Sequence, residues 1–302
     1  MRIIIPGGSG LIGQALIPAL TADGHETWLL SRNPDSVYIP AGAKACLWDG
    51  KTSQGWSHLL DGAGALINLT GENIGAAPWT EDRLKQIRQS RTNAGQAIVE
   101  GMRQARNGPK VLLQQSAIGC YGVSPDKTFD ESFPFGSDVL AQICVDWEAS
   151  TRPVEEMGVR RVVLRTGLYL TRRGGVLETI ALPFRLFAGG PLGSGRQWYS
   201  WIHERDWIEA VRFLIRSEAA QGIYNLTAPE PVTNAEFGRT LAWVLRRPYL
   251  IPAPAFALRL ALGKMSMLVL EGQRVLPRRL QEAGFQFKYP KLHDALEQIL
   301  RS

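Results

Sequence analysis

The chain has 302 residues, of which 45% are apolar and 21% charged, and its formal charge is +6 at pH 7. This composition is typical of a globular protein with one large core or two smaller ones, and no apolar run approaches the roughly 20 residues of a membrane span. The start of the chain lacks the apolar segment of a secretory signal, and the basic residues come mostly as separated pairs. We therefore expect a cytoplasmic protein with no membrane and no nucleic-acid partner.

The first predicted elements are a strand, a tight turn and a helix. A run of β-branched residues at 3–5 leads into glycines at 7, 8, 10 and 13, and an apolar helical pattern follows. Residues 8–13 fit the G-x-G-x-x-G pattern, in which residues without a Cβ let the backbone approach a pyrophosphate at a helix N-terminus. The competing interpretation is a glycine turn that binds nothing. The predicted cofactor contacts of this loop are Gly7, Gly8, Ser9, Gly10, Leu11, Ile12 and Gly13.

A second strand is predicted at 27–31, and its end indicates which dinucleotide binds. In a dinucleotide fold an acidic residue about 20 positions after the glycines binds the ribose 2′-hydroxyl. Ser31 and Arg32 occupy that place here, and a guanidinium can instead bind a 2′-phosphate. The sequence therefore predicts NADP(H) as the cofactor, with a solvated surface arginine as the alternative.

Strands and helices continue to alternate as far as residue 168. Further strands are predicted at 45–48, 65–69, 111–117 and 161–165, and long helices at 80–103 and 138–157. The strand at 65–69 ends in Thr70, Gly71 and Glu72, where a doubly wound sheet would pass its backbone beside a cofactor. This order predicts an α/β fold of the Rossmann type, with a doubly wound parallel sheet.

Beyond residue 168 the alternation changes. The predicted elements are a helix at 176–187, an aromatic strand at 198–203, a helix at 204–216, a strand at 222–226, a helix at 234–245 and a mostly helical end at 252–302. A second glycine-rich loop at 189–195 follows a helix rather than a strand, so we interpret it as a connection and not as a phosphate site. We predict a Rossmann domain over 1–168, with 199–226 returning to it, and a smaller, mainly helical, substrate-facing lobe over 169–198 and 227–302.

The motifs, taken together, resemble those of a known family. They are the glycine loop, Ser31-Arg32, residues 68–74, Ser90-Arg91, residues 189–197, Trp201-Ile202-His203 and residues 231–237. In this order they resemble the atypical short-chain dehydrogenase/reductases of the epimerase-like family 39U, within the NAD-dependent epimerase/dehydratase superfamily. The resemblance covers nearly the full length and implies a Rossmann domain that binds NADP(H) and a small C-terminal domain. Members are often labelled epimerases and some cell-division inhibitors, with the substrate generally undefined.

The resemblance and the strand ends together imply the rest of a cofactor site. Its predicted residues are Ser31, Arg32, Leu69, Thr70, Gly71, Glu72, Arg91, Ser116, Ala117 and Leu168. Each lies at or just after the carboxyl end of a predicted strand, or on the long helix beside it, which is the ligand-binding edge of such a sheet.

The sequence contains only part of the catalytic set that this superfamily uses. A reductase or epimerase of this superfamily uses a tyrosine as acid/base, a lysine four residues later, and a serine or threonine on the preceding strand. Ser116 fits the serine, but residues 139–146, where the tyrosine should lie, contain neither tyrosine nor lysine. The substitute candidates are Tyr121, which is alternatively a packing residue, and His203, which is alternatively a structural histidine.

The remaining candidates for metal or disulfide chemistry are few. Cys46, Cys120 and Cys144 are odd in number and widely spaced, so we expect small buried hydrophobic side chains rather than disulfides. The four histidines share no metal-binding spacing, and we predict no metal site.

Two functional hypotheses follow from the sequence. The first is an NADP(H)-dependent oxidoreductase or epimerase acting on a small carbonyl or sugar substrate. The alternative is a non-catalytic NADP(H)-binding regulatory protein, which the family labels would link to cell or organelle division. The sequence leaves the oligomeric state open, including a homodimer.

Overall fold

A seven-stranded parallel sheet forms the centre of the protein, as described for residues 1–301 by a computed structural model. Its strands, from one edge to the other, are β3 (Ala43–Leu47), β2 (Glu26–Ser31), β1 (Arg2–Pro6), β4 (Ala63–Asn68), β5 (Val111–Ala117), β7 (Arg160–Thr166) and β11 (Gly222–Leu226). Every neighbouring pair is parallel. Because the chain winds outward from β1 in both directions, this is the doubly wound Rossmann-type order, and the predicted fold class is confirmed.

Helices cover both faces of the sheet and build the C-terminal part. They are α1 (Leu11–Ala22), α2 (Glu81–Gln104), α3 (Val139–Ser150), α4 (Val176–Arg185), α5 (Glu204–Arg216), α6 (Asn234–Leu245), α7 (Ala255–Leu262), α8 (Met267–Leu270), α9 (Arg278–Glu282) and α10 (Leu292–Arg301). Side chains of successive strand residues point to opposite faces. Ile3 and Ile5 therefore pack with α1 and α5, whereas Ile4 packs with Ile98 of α2 on the other face.

Short strands connect the sheet to the C-terminal part. They are β6 (Thr128–Phe129), β8 (Leu168–Leu170), β9 (Trp198–Tyr199), β10 (Trp201–His203), β12 (Val232–Thr233) and β13 (Arg274–Val275). They form three two-stranded pairs, β8 with β10, β9 with β12 and β6 with β13. A separate apolar cluster, which includes Trp201, Phe237 and Leu296, joins β10 to α6 and α10.

Two predicted elements are shorter than the sequence suggested. The helix predicted at 138–157 begins after Asp138, whose carboxylate accepts hydrogen bonds from the amides of Leu140 and Ala141, but it ends at Ser150. Pro153 lacks an amide hydrogen, and residues 152–157 form a 3₁₀ turn instead. The strand predicted at 198–203 is interrupted at Ser200, because β9 and β10 pair with different partners.

The cysteines differ in their surroundings. Cys120 and Cys144 are buried, as expected, whereas Cys46 on the edge strand β3 is only half-buried. Within residues 1–301, no helix combines the length and apolar character needed to cross a bilayer. The predicted division of the chain at residue 168 stays a prediction.

Candidate functional site

The turn between β1 and α1 approaches other backbone segments too closely for side chains. Gly7 has a φ of +76°, and a Cβ at this position would lie 2.8 Å from the carbonyl carbon of Leu69. A Cβ on Gly13 would lie 2.4 Å from the carbonyl oxygen of Gly8. Gly10, which precedes α1, offers no side chain to cap the helix, so the first amide groups of α1 stay available to an anion. This cradle fits the pyrophosphate of a dinucleotide.

A cavity of about 600 Å³, which we call the first pocket, opens beside this turn. Nine of the predicted cofactor residues line it: Gly7, Ser9, Gly10, Ser31, Arg32, Leu69, Thr70, Gly71 and Glu72. The prediction missed the loop after β3 and one face of α2, which contribute Trp48, Asp49, Gly50, Lys51, Gln86, Gln89, Ser90 and Asn93. Gly8, Leu11, Ile12 and Gly13 do not line the pocket.

The charges around the first pocket favour an anionic group at the end of β2. The Arg32 side chain is 72% exposed, and its Nη1 lies 3.5 Å from Oε1 of Glu72. Arg83 Nη1 lies 3.5 Å from the other carboxylate oxygen of Glu72, so two guanidinium groups compensate this acid. The carboxylate of Asp49 accepts hydrogen bonds from the backbone amides of Lys51 and Thr52. Arg32 keeps most of its side chain in solvent despite this pairing, so Arg32 and the exposed Lys51 are the wall cations best placed to meet a ligand phosphate.

Arg91, another predicted cofactor residue, is held by the protein itself. Its side chain is buried in α2, where Nη1 donates to the carbonyl of Ile87 and Nη2 donates to the carbonyl of Glu72. The guanidinium carbon lies 4.6 Å from the ring centroid of Trp147. Burial lowers the pKa of Arg91 to about 10. Arg91 thus ties the loop after β4 to α2 and α3.

A smaller cavity of about 230 Å³, the second pocket, lies at the carboxyl ends of β5 and β7. The predicted residues Arg91, Ala117 and Leu168 line it. The rest of its wall comes from segments that the sequence analysis did not connect: Ile74, Ile118, Gly119, Val123, Leu140, Ile143, Cys144, Trp147, Thr166, Gly167, Trp198, Tyr199, Ser200, Met267, Leu268, Glu271, Gly272 and Gln273. This wall is mainly apolar and aromatic.

Ser116 lies beneath the second pocket rather than in its wall. The residue is completely buried, and its Oγ donates a 2.6 Å hydrogen bond to Oε1 of Glu148. Glu148 also accepts from Nε and Nη2 of Arg165, at 2.9 and 3.0 Å. Burial opposes the charge on Arg165, but the hydrogen bonds from its guanidinium to Glu148 outweigh it and raise the pKa of Arg165. Ser116 therefore belongs to a buried ion-pair network.

The sequence analysis missed the partnership of Glu148 and Arg165. Arg165 stands near the end of an apolar strand that is covered on both faces, and its side chain is 1% exposed. A charge in such a strand needs a buried partner of opposite sign, which is the signal that could have located Glu148.

Tyr121 occupies a packed position. Its hydroxyl donates a 2.7 Å hydrogen bond to Oδ1 of Asn225, and its ring stacks on Phe129. Burial raises the pKa of the phenol. Since Tyr121 lines neither pocket, its geometry favours the packing interpretation over the catalytic one.

His203 also has a structural environment. Its Nδ1 accepts a hydrogen bond from the amide of Arg205 at the start of α5, and its Nε2 lies 2.8 Å from Oε1 of Gln298. The residue is 2% exposed and lines neither pocket. Burial lowers the pKa of the imidazole to about 4. Both ring nitrogens are engaged, so this geometry favours the structural interpretation of His203.

Helix α3 presents unexpected residues where a tyrosine and lysine were sought. Cys144, one turn before Glu148, points its thiol towards the carbonyl of Ala117 at 3.8 Å and lines the second pocket. Burial raises the pKa of this thiol to about 12. Within residues 1–301, no three His, Cys, Asp or Glu side chains form a group that could hold a metal ion.

Comparisons with known proteins agree with this geometry. The family model described as the NAD-dependent epimerase/dehydratase family matches residues 3–227, and a domain of unknown function, DUF1731, matches residues 253–299. The epimerase family protein YfhF of Bacillus subtilis strain 168 is 38% identical over 307 residues, covering 99% of this chain and 98% of that protein.

Two solved structures are also similar. The human epimerase family protein SDR39U1, determined with NADPH, is 33% identical, with a TM-score of 0.90 and complete coverage of both chains. A nucleoside-diphosphate sugar epimerase of Corynebacterium glutamicum is 30% identical, with a TM-score of 0.80, and the match covers 99% of this chain and 58% of that one.

Proposed function

The chain belongs to the NAD-dependent epimerase/dehydratase family, and from this premise we propose that it binds NADPH and acts as an oxidoreductase on a small carbonyl substrate. The observation that carries the preference for NADPH is the position of Arg32. It follows β2 directly, lines the first pocket and replaces the acid that would bind a ribose 2′-hydroxyl. The human relative was determined with NADPH, which supports the same choice.

The residues of the two pockets would divide the cofactor between them. The glycine turn and the first amides of α1 would hold the pyrophosphate, and Ser31 and Arg32 would hold the 2′-phosphate. Ala117 and Leu168 border the second pocket, where the nicotinamide end would lie. When bound, NADPH supplies a hydride, which together with a proton from solvent converts a carbonyl to an alcohol and leaves NADP⁺.

A fluorescence titration tests the cofactor preference, with Trp48 in the wall of the first pocket as a natural reporter. We expect NADPH to bind more tightly than NADH. Arg32→Ala should weaken NADPH binding by about 10- to 150-fold, since a charge-assisted phosphate contact contributes about 1.5–3 kcal/mol, and should leave NADH binding nearly unchanged.

The matched control is Arg103→Ala. Arg103 lies in the last turn of α2, its side chain is 56% exposed, and it lines neither pocket. Its removal changes the net charge by the same amount and should leave both affinities unchanged. Equal affinity of the unsubstituted protein for NADPH and NADH would contradict the proposed role of Arg32.

A second candidate function is a non-catalytic NADPH-binding regulator. The observation that favours it is the face of α3, where Cys144 and Glu148 stand near Ser116 and no tyrosine or lysine is present. Consumption of NADPH with any member of a panel of aldehydes, ketones and sugar nucleotides would exclude it. Tight NADPH binding with no turnover across the panel would support it instead.

A further inference from the structure

We infer that the C-terminal part of the protein carries a docking surface for an anionic phospholipid bilayer, built from exposed apolar side chains with arginines among them. We call it the apolar-cationic surface. Its apolar members, which are 54–87% exposed, are Leu182, Leu186, Phe187, Leu250, Ile251, Phe256 and Leu260. None of these residues lines either pocket, so this role is separate from the proposed binding of a cofactor.

Contacts between two distant segments bring the members of this surface together. The carbonyl of Gly189, just after α4, accepts hydrogen bonds from the amides of Leu250 and Ile251. The guanidinium carbon of Arg247 lies 4.4 Å from the ring centroid of Phe187. Helix α7 begins four residues after Ile251, so it continues directly from this junction.

Helix α7 has no buried side. Seven of its eight residues are apolar and the eighth is Arg259, yet not one of them is buried. Phe256 and Leu260 stand one turn apart on the same face and are 75% and 87% exposed. A helix that is apolar around its whole circumference is normally enclosed by protein or by lipid, and the fold does not enclose α7.

Two turns at this surface hold large side chains where glycine is usual. Phe187 and Arg246 have φ angles of +62° and +55°, and within residues 1–301 they are the only residues other than glycine with a positive φ. They end α4 and α6, at positions where glycine normally takes the left-handed conformation. An aromatic ring and a guanidinium are thus presented at strained positions, which indicates a use for the exposed side chains.

The charge of the surface selects an anionic partner. Segments 179–203 and 237–270, which contain the whole surface, have no aspartate or glutamate but seven basic residues: Arg185, Arg196, Arg239, Arg246, Arg247, Arg259 and Lys264. None of the seven forms an ion pair with a residue described within 1–301. Like charges would repel a second copy of the same face, whereas an anionic bilayer attracts each cation. The sequence gave no sign of this surface, because its parts come from two distant segments.

The shape of the surface favours lipid over a partner protein. The exposures of Phe256 and Leu260 mean that these side chains project into solvent and do not line a groove. A partner helix is normally held in a groove, whereas projecting apolar side chains insert between lipid headgroups while arginines stay at the level of the phosphates. Helix α7 is about 12 Å long, far shorter than a bilayer core, so it would lie on the membrane rather than cross it.

Flotation of the full chain with lipid vesicles tests the inference. One set of vesicles contains phosphatidylcholine alone, and the other contains equal parts of phosphatidylcholine and the anionic phosphatidylglycerol. We expect binding to the anionic vesicles to be at least about 10-fold tighter and to weaken as salt is raised, since each cation near such a membrane contributes about 5-fold. No binding to either set, or equal binding to both at low salt, would overturn the inference.

The double variant Phe256→Gln with Leu260→Gln removes two of the inserted side chains. It should weaken binding to anionic vesicles more than about 10-fold, because less apolar area enters the lipid. Both positions are exposed, so urea denaturation should show an almost unchanged free energy of unfolding. Leu47→Gln is the matched control, since Leu47 is 62% exposed on the edge strand β3, and it should leave vesicle binding unchanged. Unweakened binding by the double variant would contradict the inference.

Arg259→Gln tests the charge separately. It should weaken binding to anionic vesicles about 5-fold and leave any binding to neutral vesicles unchanged. Arg103→Gln, at a 56% exposed side chain of α2, is the matched control and should have no effect. An equal loss in the Arg259 and Arg103 variants would show that only net charge matters and that this surface does not meet the bilayer.

Sedimentation of the lipid-free protein tests the competing occupant, a second copy of the chain. We expect the double variant at Phe256 and Leu260 to have the same oligomeric state as the unsubstituted protein. A dimer that this variant converts to a monomer would show that a second copy covers the surface, and it would overturn the inference.

Discussion

The two pockets lie along one edge of the same sheet, but they are built in opposite ways. The first, of about 600 Å³, is lined by backbone, hydroxyl groups and charges from residues 7–94. The second, of about 230 Å³, is lined mainly by apolar side chains from segments between residues 74 and 273. The proposed binding of a charged cofactor thus depends on short, local motifs, whereas the shape of the apolar pocket depends on packing between segments that are distant in sequence.

The largest expected effect concerns the buried charges under the second pocket. Glu148→Gln keeps the size of the side chain and an oxygen that can accept from Ser116, but it leaves Arg165 without a compensating charge. Breaking a buried ion pair costs about 3–5 kcal/mol, so we expect a loss of that size in the free energy of unfolding, measured by urea denaturation.

Glu155→Gln is the control for this prediction. Glu155 pairs with Nε of Arg161 at 2.7 Å, but its side chain is 40% exposed. Loss of such a surface pair costs at most about 1 kcal/mol. If the two variants were equally stable, the buried ion pair of Glu148 with Arg165 would contribute no more to stability than a surface pair. The contrast between the apolar wall of the second pocket and the charges beneath it would then disappear.

A smaller effect is expected for the glycine turn of the first pocket. Gly7→Ala places a methyl group against the backbone of Leu69 and Thr70, so we expect NADPH affinity to fall by more than about 100-fold in a fluorescence titration. Gly24→Ala is matched in conformation, because Gly24 has a φ of +79° but no atom within 4 Å of its Cβ position. It should cost about 1–2 kcal/mol of stability and leave NADPH affinity unchanged. Unchanged affinity in Gly7→Ala would show that the close approach does not shape the first pocket.

The smallest of these effects concerns His203, which lies in neither pocket. Its pKa is lowered to about 4 by burial, so the unfolded chain binds a proton that the folded protein does not. The contribution of the neutral imidazole is therefore complete above its unfolded pKa and is lost as the pH falls. We expect a loss of about 2 kcal/mol between about pH 7 and about pH 5.

His203→Gln should remove this part of the pH dependence, measured as the difference in unfolding free energy between variant and unsubstituted protein at each pH. Buried acids such as Asp206, whose pKa is raised by burial, titrate in both proteins and cancel in the difference. NADPH affinity should not change. A loss of NADPH affinity would show that His203 contributes to cofactor binding although it lines neither pocket.

The sequence predicted the fold and much of the first pocket because both depend on patterns among neighbouring residues, namely strand and helix periodicity and glycine spacing. Alternation of apolar strands and helices predicts a parallel, doubly wound sheet, and the glycine spacing predicts the turn at Gly7. The positions of Tyr121 and His203 could not be inferred in this way, because burial and partners such as Asn225 and Gln298 come from distant segments.

The second pocket was beyond prediction for the same physical reason. Trp147 and Leu268 read as ordinary core residues of two separate helices, and nothing in their local pattern shows that they share a wall. The absence of a tyrosine and a lysine from residues 139–146 was visible in the sequence, but the ion pair of Glu148 with Arg165 could be seen only in the folded chain.

The wall residues of the second pocket are spread over the chain from residue 74 to residue 273, and this affects the order in which the two pockets form during synthesis. A growing chain emerges from its N-terminus, and its early segments begin to fold first. Residues 7–94 contain the whole wall of the first pocket, whereas the second needs residues 267–273, and β13 must pair with β6 nearby. A nascent chain therefore holds every residue of the first pocket long before it can form the second, whose wall is complete only when nine-tenths of the protein has been made.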